Sequence, residues 1–484
     1  MKILMVASEA APFAKTGGLG DVISALPRAL AARGHDVLVV LPKYALIDEQ
    51  HALRDTGRRI QVPIAGTDWS AGLFLTAPAE RLRYLFLSNE AYDRQGGLYG
   101  VNGKDFRDNH KRFALLSVGA LLAARQMNFV PDVVHAHDWQ AALVPLVLKR
   151  GFGGLVSPFR VPSLFTVHNL SFQGLFPKEA MTDLALPADL FHPDALEFYG
   201  QLCLLKAGLV FADKLSTVSP SYREESLLDQ EHGAGLDGLL RWREKDLHGI
   251  LNGADATVWN PEIDAHLPAR YSAKDLAGKA ACKAALQKEV GLHPEMKALL
   301  CGTIGRFSAQ KGMDLLADAI PRLVERGGQL VVLGTGDAEI EKKLNEQAAR
   351  FPGRVAIVNR FDDGLAHRIE GGSDLFLMPS RYEPCGLNQL YSLRYGTLPL
   401  VHAVGGLKDT IEDAAPHGKQ PGAQGFGFRF EGAHADSLIG ALDRARALYN
   451  DHDAWKATVL RAMALEFPWD AAAGKYEALY KALA

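Results

Sequence analysis

The chain alternates short apolar runs with longer amphipathic stretches over most of its 484 residues. In the first half the apolar runs are KILMVAS, DVLVVLP, RYLFLS, DVVHAH, SLFTVHN and KLSTVS. Near-continuous hydrophobicity of this kind is typical of strands that are buried on both faces. Helix-like segments, such as 113–126 and 141–149, separate many of the runs. The pattern therefore predicts an α/β unit with a parallel sheet covered by helices.

A second series of apolar runs begins near residue 298, with ALLCGTIGR, QLVVLG, RVAIVNR, DLFLMPS and LPLVHA. Residues 252–297 contain no comparable run and are rich in Asp, Ala, Pro and Lys, so we place a linker near NGADATVWNP. We predict two doubly wound domains, with ligands in a cleft at the carboxyl ends of the strands. The segment 469–483 is expected to form a closing helix.

Composition and net charge limit which binding partners and which cell compartment we expect for this chain. A formal net charge of -3 gives no overall basic field that would attract nucleic acid or an anionic membrane. Neither a run of eighteen apolar residues nor a signal-peptide core of sufficient length is present. The four cysteines are scattered without a C-x-x-C pair, so neither a disulfide framework nor a zinc site is indicated. We expect a cytoplasmic protein.

The turn in AKTGGLGDVISALPRAL combines Lys15, three glycines and Asp21 between the first strand and a helix. Glycine lets a ligand approach the backbone, and a helix beginning near Asp21 would direct free N–H groups towards an anion. Lys15 would add a positive charge, while Asp21 would cap the helix or accept from a hydroxyl. The spacing matches neither G-x-G-x-x-G nor the P-loop. A tight turn with an exposed lysine is an equally good interpretation.

The second half carries complementary charges at its strand ends. Arg306 ends a strand in GRFSAQKG, and Lys311 precedes the next helix, so the two cations could converge on one anion. Glu383 lies before a helix that we expect to open around 386–388, where it could hold sugar hydroxyls beside a bound phosphate. As an alternative, Arg306 and Lys311 are solvated surface cations, and Glu383 is an acid in the first turn of a helix, where the helix dipole favours it.

Two motifs in the first half place polar side chains after strands. His135 and His137 in HAHDWQ have a metal-like H-x-H spacing, but no acidic or cysteine ligand set accompanies them, so hydrogen-bonded core histidines are the better interpretation. Asp138 and His168 are candidates for facing a sugar. Trp139 would either pack against a sugar ring or lie in the core.

Taken in order, these motifs resemble the bacterial glycogen synthases, retaining glucosyltransferases of the starch-synthase type. The resemblance extends from Lys2 to about Tyr480 and rests on KTGGLGDV, HAHDWQAAL, TVHNLSFQG, STVSPSY, HGILNGAD, GRFSAQKG, EPCGLNQLYSLRYGTLPLV and GGLKDTI. It implies a GT-B fold, in which two doubly wound Rossmann-like domains face each other across a deep cleft. An acceptor-side domain would span 1–253 and a nucleotide-sugar-binding domain 254–462. A crossover helix within 463–484 would return to the first domain.

The resemblance also implies transfer of glucose from ADP-glucose to the non-reducing end of an α-1,4-glucan such as glycogen, with release of ADP. No cofactor and no metal are expected, because two cations and two helix ends could stabilise the leaving group and no D-x-D acidic cluster follows a strand. UDP-glucose as donor remains an alternative, and a catalytically silent glycan-binding protein is a weaker one. A nicotinamide oxidoreductase would need the missing G-x-G-x-x-G fingerprint. Retention through a covalent intermediate or by front-face attack, and the oligomeric state, stay open.

The family motifs assign roles to individual positions. The implied catalytic residues are Glu383, Lys15, His168, Arg306 and Lys311. The implied donor-binding residues are Lys15, Gly18, Asp21, Asn252, Arg306, Gln310, Lys311, Glu383, Cys385, Gly386, Leu387 and Asn388. The implied acceptor-side residues are Asp138, Trp139, His168 and Asn169. Many family members carry Thr at the position of Asn388, so the nucleotide contact expected there differs in this chain.

Overall fold

The computed structural model describes residues 1–47, 51, 53–101, 103–414 and 424–483, which form two compact units. The first unit comprises Met1–Leu251 and Trp469–Ala484, and the second comprises Asn252–Pro468. Each unit has its own hydrophobic core. The functional domains assigned from the family resemblance, with bounds at 253/254 and 462/463, stay a prediction.

In its described residues, the first unit contains one nine-stranded sheet flanked by helices and two small sheets of three and two strands. Its strands are β1 (Lys2–Val6), β2 (Asp36–Pro42), β3 (Arg54–Ile64), β4 (Thr67–Ala79), β5 (Leu82–Ser88), β6 (Gly100–Val101), β7 (Lys104–Asp105), β8 (Val133–His137), β9 (Ser163–Val167), β10 (Leu175–Phe176), β11 (Glu197–Phe198), β12 (Gln201–Cys203), β13 (Lys214–Thr217) and β14 (Leu247–Gly249). Its helices are α1 (Gly18–Ala32), α2 (Asn109–Gln126), α3 (Asp138–Ala141), α4 (Leu143–Arg150), α5 (Ala180–Asp183), α6 (Leu204–Phe211), α7 (Pro220–Ser226), α8 (Asp237–Trp242) and, from the end of the chain, α17 (Trp469–Leu483).

The nine-stranded sheet has the order β14-β13-β9-β8-β1-β2-β5-β4-β3. All pairs from β14 to β5 are parallel, as the apolar runs predict. At one edge β3 and β4 add an antiparallel hairpin, which the sequence did not predict. These two strands have many exposed positions, because they lie at the sheet edge, and so lack the continuous apolar run of the central strands.

Helix α1 begins at Gly18, whereas the sequence predicted a start near Asp21. Pro27 lies inside this helix and cannot donate to the carbonyl of Ile23. The buried hydroxyl of Tyr84 on β5 donates to that carbonyl at 3.1 Å and replaces the missing donor. The helix therefore continues past the proline with its polar groups satisfied.

The closing helix α17 has the bounds predicted from the sequence and packs on α1. Arg33, at the end of α1, forms ion pairs with Asp470 and Glu477, each at 2.8 Å. The hydroxyl of Tyr480 is 2.7 Å from Nδ1 of His135 on β8. These contacts fix the last helix to the first unit rather than to the unit that precedes it in sequence.

The second unit is a six-stranded sheet between helices. Its strands are β15 (Leu300–Ile304), β16 (Gln329–Leu333), β17 (Val355–Val358), β18 (Leu375–Met378), β19 (Leu398–His402) and β20 (Phe428–Phe430). Its helices are α9 (Ala277–Glu289), α10 (Met313–Glu325), α11 (Ala338–Arg350), α12 (Asp363–Gly372), α13 (Asn388–Arg394), α14 (Gly405–Thr410), α15 (Ala435–Tyr449) and α16 (His452–Met463).

The order of this sheet is β17-β16-β15-β18-β19-β20, and every pair is parallel. The chain runs outwards from β15 to β17 and then returns to the other side of β15 through β18. This reversal creates a topological switch point at the carboxyl ends of β15 and β18, where open α/β sheets bind ligands. Among the described helices, none is both long and apolar enough to cross a membrane.

Candidate active-site residues

The glycine-rich loop of the first unit is held by Glu9, a residue that the sequence analysis did not select. Glu9 follows β1 and is 3% exposed. Its carboxylate accepts from the amide and the hydroxyl of Thr16, each at 2.6 Å, and from the amide of Gly17 at 3.3 Å. The Tyr99 hydroxyl donates to the same carboxylate. One buried acid therefore fixes the backbone on either side of Thr16.

Lys15 and Asp21 face each other across the start of α1. The Lys15 ammonium is 2.7 Å from Asp21 Oδ1, and their side chains are 32% and 23% exposed. Asp21 lies in the first turn rather than at the N-cap, which is Gly17, while Gly18 is the first helical residue. A Cβ at Gly20 would lie 2.9 Å from Lys15 Cγ, so glycine is required there for the lysine to pack against the helix.

Asp138 lies directly after β8 and interacts with the loop after the neighbouring strand β9. Its Oδ1 accepts from the backbone amide of His168 at 2.7 Å. Burial raises the pKa of Asp138 to about 7, against the lowering effect of backbone hydrogen bonds from His168 and Asn169. Asp138 has a φ of 57°, a left-handed conformation that is uncommon for a residue with a side chain. Strain of this kind and a perturbed carboxyl pKa are both frequent at functional sites.

Three histidines form a row beside Asp138, in which His135 and His137 are buried and His168 is partly buried. His137 Nδ1 lies 3.1 Å from His168 Nε2, and His135 Nε2 lies 2.6 Å from the Thr166 hydroxyl. Burial lowers the pKa of His168 to about 3, and it also lowers the pKa values of His135 and His137 well below the usual range. All three imidazoles are therefore neutral near pH 7. The prediction that His135 and His137 are hydrogen-bonded core histidines is confirmed.

The other two acceptor-side candidates have different environments. Trp139 is 8% exposed, with its ring 4.9 Å from Phe113 in an edge-to-face contact and 5.8 Å from Phe176. Core aromatic residues cover its ring, which favours the core alternative, while the acceptor-side role of Trp139 stays a prediction. Asn169 is partly buried, and its side-chain oxygen accepts from the amide of Ser171 at 3.0 Å.

In the second unit, the loops after three strands meet at Glu383. The carboxylate of Glu383 is 2.6 Å from the Lys311 ammonium, which comes from the loop after β15. Its Oε2 also accepts from the Ser380 hydroxyl at 3.0 Å, and its backbone carbonyl accepts from Gly406 of α14 at 3.1 Å. Glu383 is 4% exposed, so the acid is buried but paired.

Arg306 and Gln310 lie on the same loop as Lys311. Arg306 is exposed and follows β15 by two residues, while Gln310 is partly buried. The Gln310 carbonyl accepts from the amide of Arg381 at 2.8 Å, and Arg381 pairs with Asp314 at 2.7 Å. The loop after β15 is thereby fixed to the loop after β18, which carries Glu383.

The segment from Cys385 to Asn388 leads into α13. Burial raises the pKa of the Cys385 thiol to about 12, so this cysteine is not a nucleophile at neutral pH. Asn252 hydrogen-bonds the thiol from both its backbone and its side chain, and its buried Oδ1 has no hydrogen-bond partner among the described residues. Leu387 is the N-cap residue of α13. The side-chain amide of Asn388 donates through Nδ2 to the carbonyl of Ile304 on β15 at 3.0 Å.

Two cavities lie away from these residues. One of about 750 Å³ is lined by the segments 146–157 and 185–187 of the first unit, among others. The other, of about 210 Å³, includes Lys279, Lys283 and Asp374 of the second unit. The candidate residues instead gather at the carboxyl ends of parallel strands, which is where the topology of each sheet leads us to expect a ligand.

Comparison with known proteins identifies the family. Residues 2–242 match the family model for the starch synthase catalytic domain, and residues 298–445 match that for glycosyl transferases group 1. The chain is 50% identical to a glycogen synthase from Anaeromyxobacter sp. (strain Fw109-5), with 100% of both chains covered. It is 49% identical to a glycogen synthase from Myxococcus xanthus (strain DK1622), with 99% of each covered. The chain belongs to the starch and glycogen synthase family of glycosyltransferases.

Solved structures show the same fold. The catalytic domain of starch synthase IV from Arabidopsis thaliana, solved with ADP and acarbose, has a TM-score of 0.91 and 33% identity, with 99% of each chain covered. Sucrose-phosphate synthase from Thermosynechococcus elongatus has a TM-score of 0.60 at 19% identity, which indicates a shared fold. The predicted GT-B fold, with two Rossmann-like units, is confirmed.

In this family member, the sequence motifs pointed to the charged candidates Lys15, Arg306, Lys311 and Glu383 but not to the residues that hold them. Glu9 anchors the glycine loop, and Ser380 donates to Glu383. The available signal was positional, because both residues follow a central strand, β1 and β18 respectively. A polar residue that directly follows a buried strand lies at the ligand-binding edge of the sheet.

Proposed function

We propose that the chain is an ADP-glucose-dependent glycogen synthase, which transfers glucose to the non-reducing end of an α-1,4-glucan with retention of configuration. The observation that carries the proposal is the Lys311–Glu383 pair at the switch point of the second sheet, with Arg306 on the same loop. The bacterial relatives named glycogen synthase support it, as does the starch synthase IV that was solved with ADP and acarbose.

Departure of ADP leaves negative charge on the diphosphate while positive charge develops on the sugar carbon. Arg306 would bind the phosphates through its planar guanidinium, and Lys311 would add a compact charge. Lys311 is already held by Glu383 at 2.6 Å. Charges that are fixed before the reaction stabilise a transition state without reorganisation, which is often the largest contribution to catalysis.

We assign Glu383 to the hydroxyls of the donor glucose rather than to nucleophilic attack. Its Oε2 accepts from both Lys311 and Ser380. A carboxylate whose charge is compensated by an ammonium and a hydroxyl is a weaker nucleophile, but it remains a good acceptor for sugar hydroxyls. This argument favours front-face attack over a covalent enzyme intermediate.

Other residues complete the proposed assignment. We propose that Asn252 contacts the donor, since its buried Oδ1 is an acceptor without a partner among the described residues. In the first unit, Lys15 would provide a further cation for the donor. Asp138 and His168 would face the acceptor glucan, and the neutral imidazole of His168 can donate or accept a hydrogen bond.

We further propose that the transfer needs no metal, because Arg306 and Lys311 supply two full positive charges to the leaving diphosphate. The proposed partners are ADP-glucose and a glycogen primer, in a cytoplasmic setting. UDP-glucose remains the competing donor, since nothing in the charged set distinguishes the two nucleotide bases.

The test incubates the purified chain with glycogen and either ADP-glucose or UDP-glucose, with and without EDTA, and measures the nucleoside diphosphate released. We expect ADP release that EDTA does not reduce, and a polymer product that an α-1,4-specific amylase digests. Glu383→Gln and Lys15→Ala should each lower turnover at least about 100-fold, whereas Lys342→Ala on the exposed face of α11 should not. Absence of turnover with both donors would refute the proposed function, and wild-type rates in both variants would refute the site.

A further inference from the structure

A group of potential metal ligands lies in the second unit, apart from the residues assigned to glucosyl transfer. His266, Asp363 and His367 each offer one ligand atom, and these atoms lie within 4.8 Å of one another. Asp363 and His367 are four residues apart on α12 and thus share one face of the helix. His266 belongs to the loop before α9. Two imidazoles and one carboxylate form a ligand set that suits zinc.

One buried carboxylate positions both histidines. Asp264, 4% exposed, accepts from Nδ1 of His367 at 2.7 Å and from the backbone amide of His266 at 2.8 Å. The Tyr395 hydroxyl also donates to Asp264. An ionised carboxylate only accepts, so Nδ1 of His367 carries the hydrogen and Nε2 keeps its lone pair. This is the carboxylate–histidine arrangement that orients zinc ligands in proteins.

Aromatic packing fixes the plane of the His367 ring. The indole of Trp259 stacks on it with ring centroids 3.8 Å apart and an interplanar angle of 6°. The two remaining ligands, His266 and Asp363, are exposed, and the His266 ring lies beside the His367 ring with centroids 4.7 Å apart. Zinc–ligand bonds of about 2.0–2.1 Å require tetrahedral ligand atoms about 3.4 Å apart. Rotation of two exposed side chains can supply the remaining closure of about 1.4 Å, taken from 4.8 Å.

The cations near the group are already neutralised. Arg368, on the same helix, forms two hydrogen bonds of 2.7 Å with the carboxylate of Glu289. Arg360 pairs with Asp362 at 2.8 Å. Neither guanidinium therefore presents an uncompensated positive charge that would oppose a divalent ion.

We propose that His266, Asp363 and His367 bind one divalent transition-metal ion, with zinc as the best fit and water as the fourth ligand. The ion would tie the loop that carries His266 to α12. Its role is structural, because none of its ligands belongs to the set proposed for the diphosphate or the sugar, and the proposal is compatible with metal-independent transfer.

The test uses the full-length chain after removal of metals with EDTA and dialysis. Titration with ZnCl2 in a calorimeter should show one saturable equivalent per chain, and zinc should raise the midpoint of thermal unfolding. His266→Ala and Asp363→Asn change exposed side chains and should fold normally, but each should weaken zinc binding at least tenfold. The exposed His452→Ala is the matched control and should bind as the wild type does.

A second readout identifies the coordination. Co²⁺ added in place of zinc should give the visible absorption of a four-coordinate site in the wild type and the control, and His266→Ala should lose it. The proposal is overturned if no one-equivalent binding is found, if His266→Ala binds zinc as tightly as the wild type, or if His452→Ala loses as much affinity. None of these results depends on glucosyl transfer, so failure here is distinct from failure of the proposed function.

Discussion

Replacement of Glu9 by alanine tests whether a buried acid controls the glycine-rich loop. The carboxylate accepts four hydrogen bonds, from the amide and hydroxyl of Thr16, from the amide of Gly17 and from the Tyr99 hydroxyl. Alanine removes every acceptor at once, and the loop loses the group that holds it beside α1. Because Lys15 directly precedes Thr16, we expect the substitution to displace Lys15 as well.

The size of the effect follows from the burial of the four donors. A hydrogen bond to a charged group contributes about 1.5–3 kcal/mol when its loss leaves the partner unsatisfied. Thr16 is exposed and its amide can bind water instead, whereas Tyr99 is partly buried and its hydroxyl keeps the contact with Ser8 at 2.8 Å. We therefore expect Glu9→Ala to lower the free energy of unfolding of the first unit by about 2–4 kcal/mol. For a unit of this size the unfolding midpoint would fall by about 4–8 °C.

Scanning calorimetry measures the midpoint, and ADP release with ADP-glucose and glycogen measures the activity. Glu9→Gln is the informative companion, because the amide oxygen can still accept from Thr16 and Gly17 while both hydroxyls can rotate to accept from the new NH2 group. It should lose less than half as much stability as Glu9→Ala. Glu80→Ala, at an exposed position, is the control. A Glu9→Ala midpoint within 1–2 °C of the wild type, about the range of a surface substitution, would refute the reasoning.

Three further predictions follow from the site geometry. Arg306→Ala should raise KM for ADP-glucose at least about tenfold, as measured by initial rates. A KM equal to that of the control Lys342→Ala would contradict the assignment of Arg306 to the donor phosphates. The pKa of Asp138 is about 7 in the folded state and about 3.9 when unfolded, so the folded chain binds more protons between these values. The free energy of unfolding of the wild type, relative to that of Asp138→Asn, should therefore decrease as pH rises from about 4 to 7. Urea unfolding of both proteins at several pH values measures this difference, and a difference that does not change with pH would contradict the prediction. Gly386→Ala should lower the free energy of unfolding, measured in urea, by about 1–3 kcal/mol, because φ is +72° and the new Cβ would lie 2.4 Å from Gln389 Oε1. Gly440→Ala has open space at its Cβ and should not lower the free energy of unfolding.

The order of strands and helices could be predicted because burial on both faces of a parallel strand leaves a clear signal. Ten of the eleven quoted apolar runs contain a whole observed strand, RYLFLS covers all of β5 except Leu82, and α17 has the predicted bounds. The hairpin β3–β4 lacked that signal, since one sheet edge needs no continuous apolar run. The start of α1 was misjudged because glycine is unfavourable inside a helix, whereas here Gly18 and Gly20 lie in its first turn.

Site residues were predictable to the extent that their position at a strand end was visible. Lys311 and Glu383 are 72 residues apart in sequence, and only the adjacency of β15 and β18 brings them to 2.6 Å. Residues that act by positioning others, such as Glu9, carry no motif of their own. The group around His266 was invisible for a related reason, since its partners on α12 come almost a hundred residues later in the chain.

The two lysines proposed as phosphate ligands are both paired with carboxylates, but the pairs differ in what a phosphate would have to displace. Lys15 and Asp21 are 32% and 23% exposed, and an ion pair this accessible contributes only about 0–1 kcal/mol. Lys15 can therefore leave Asp21 at little cost. The Glu383 side chain is 6% exposed, so removal of Lys311 would leave a buried charge at a cost of several kcal/mol. Since an ammonium has three donors, Lys311 can bind a phosphate and keep Glu383, which makes it the fixed cation and Lys15 the mobile one.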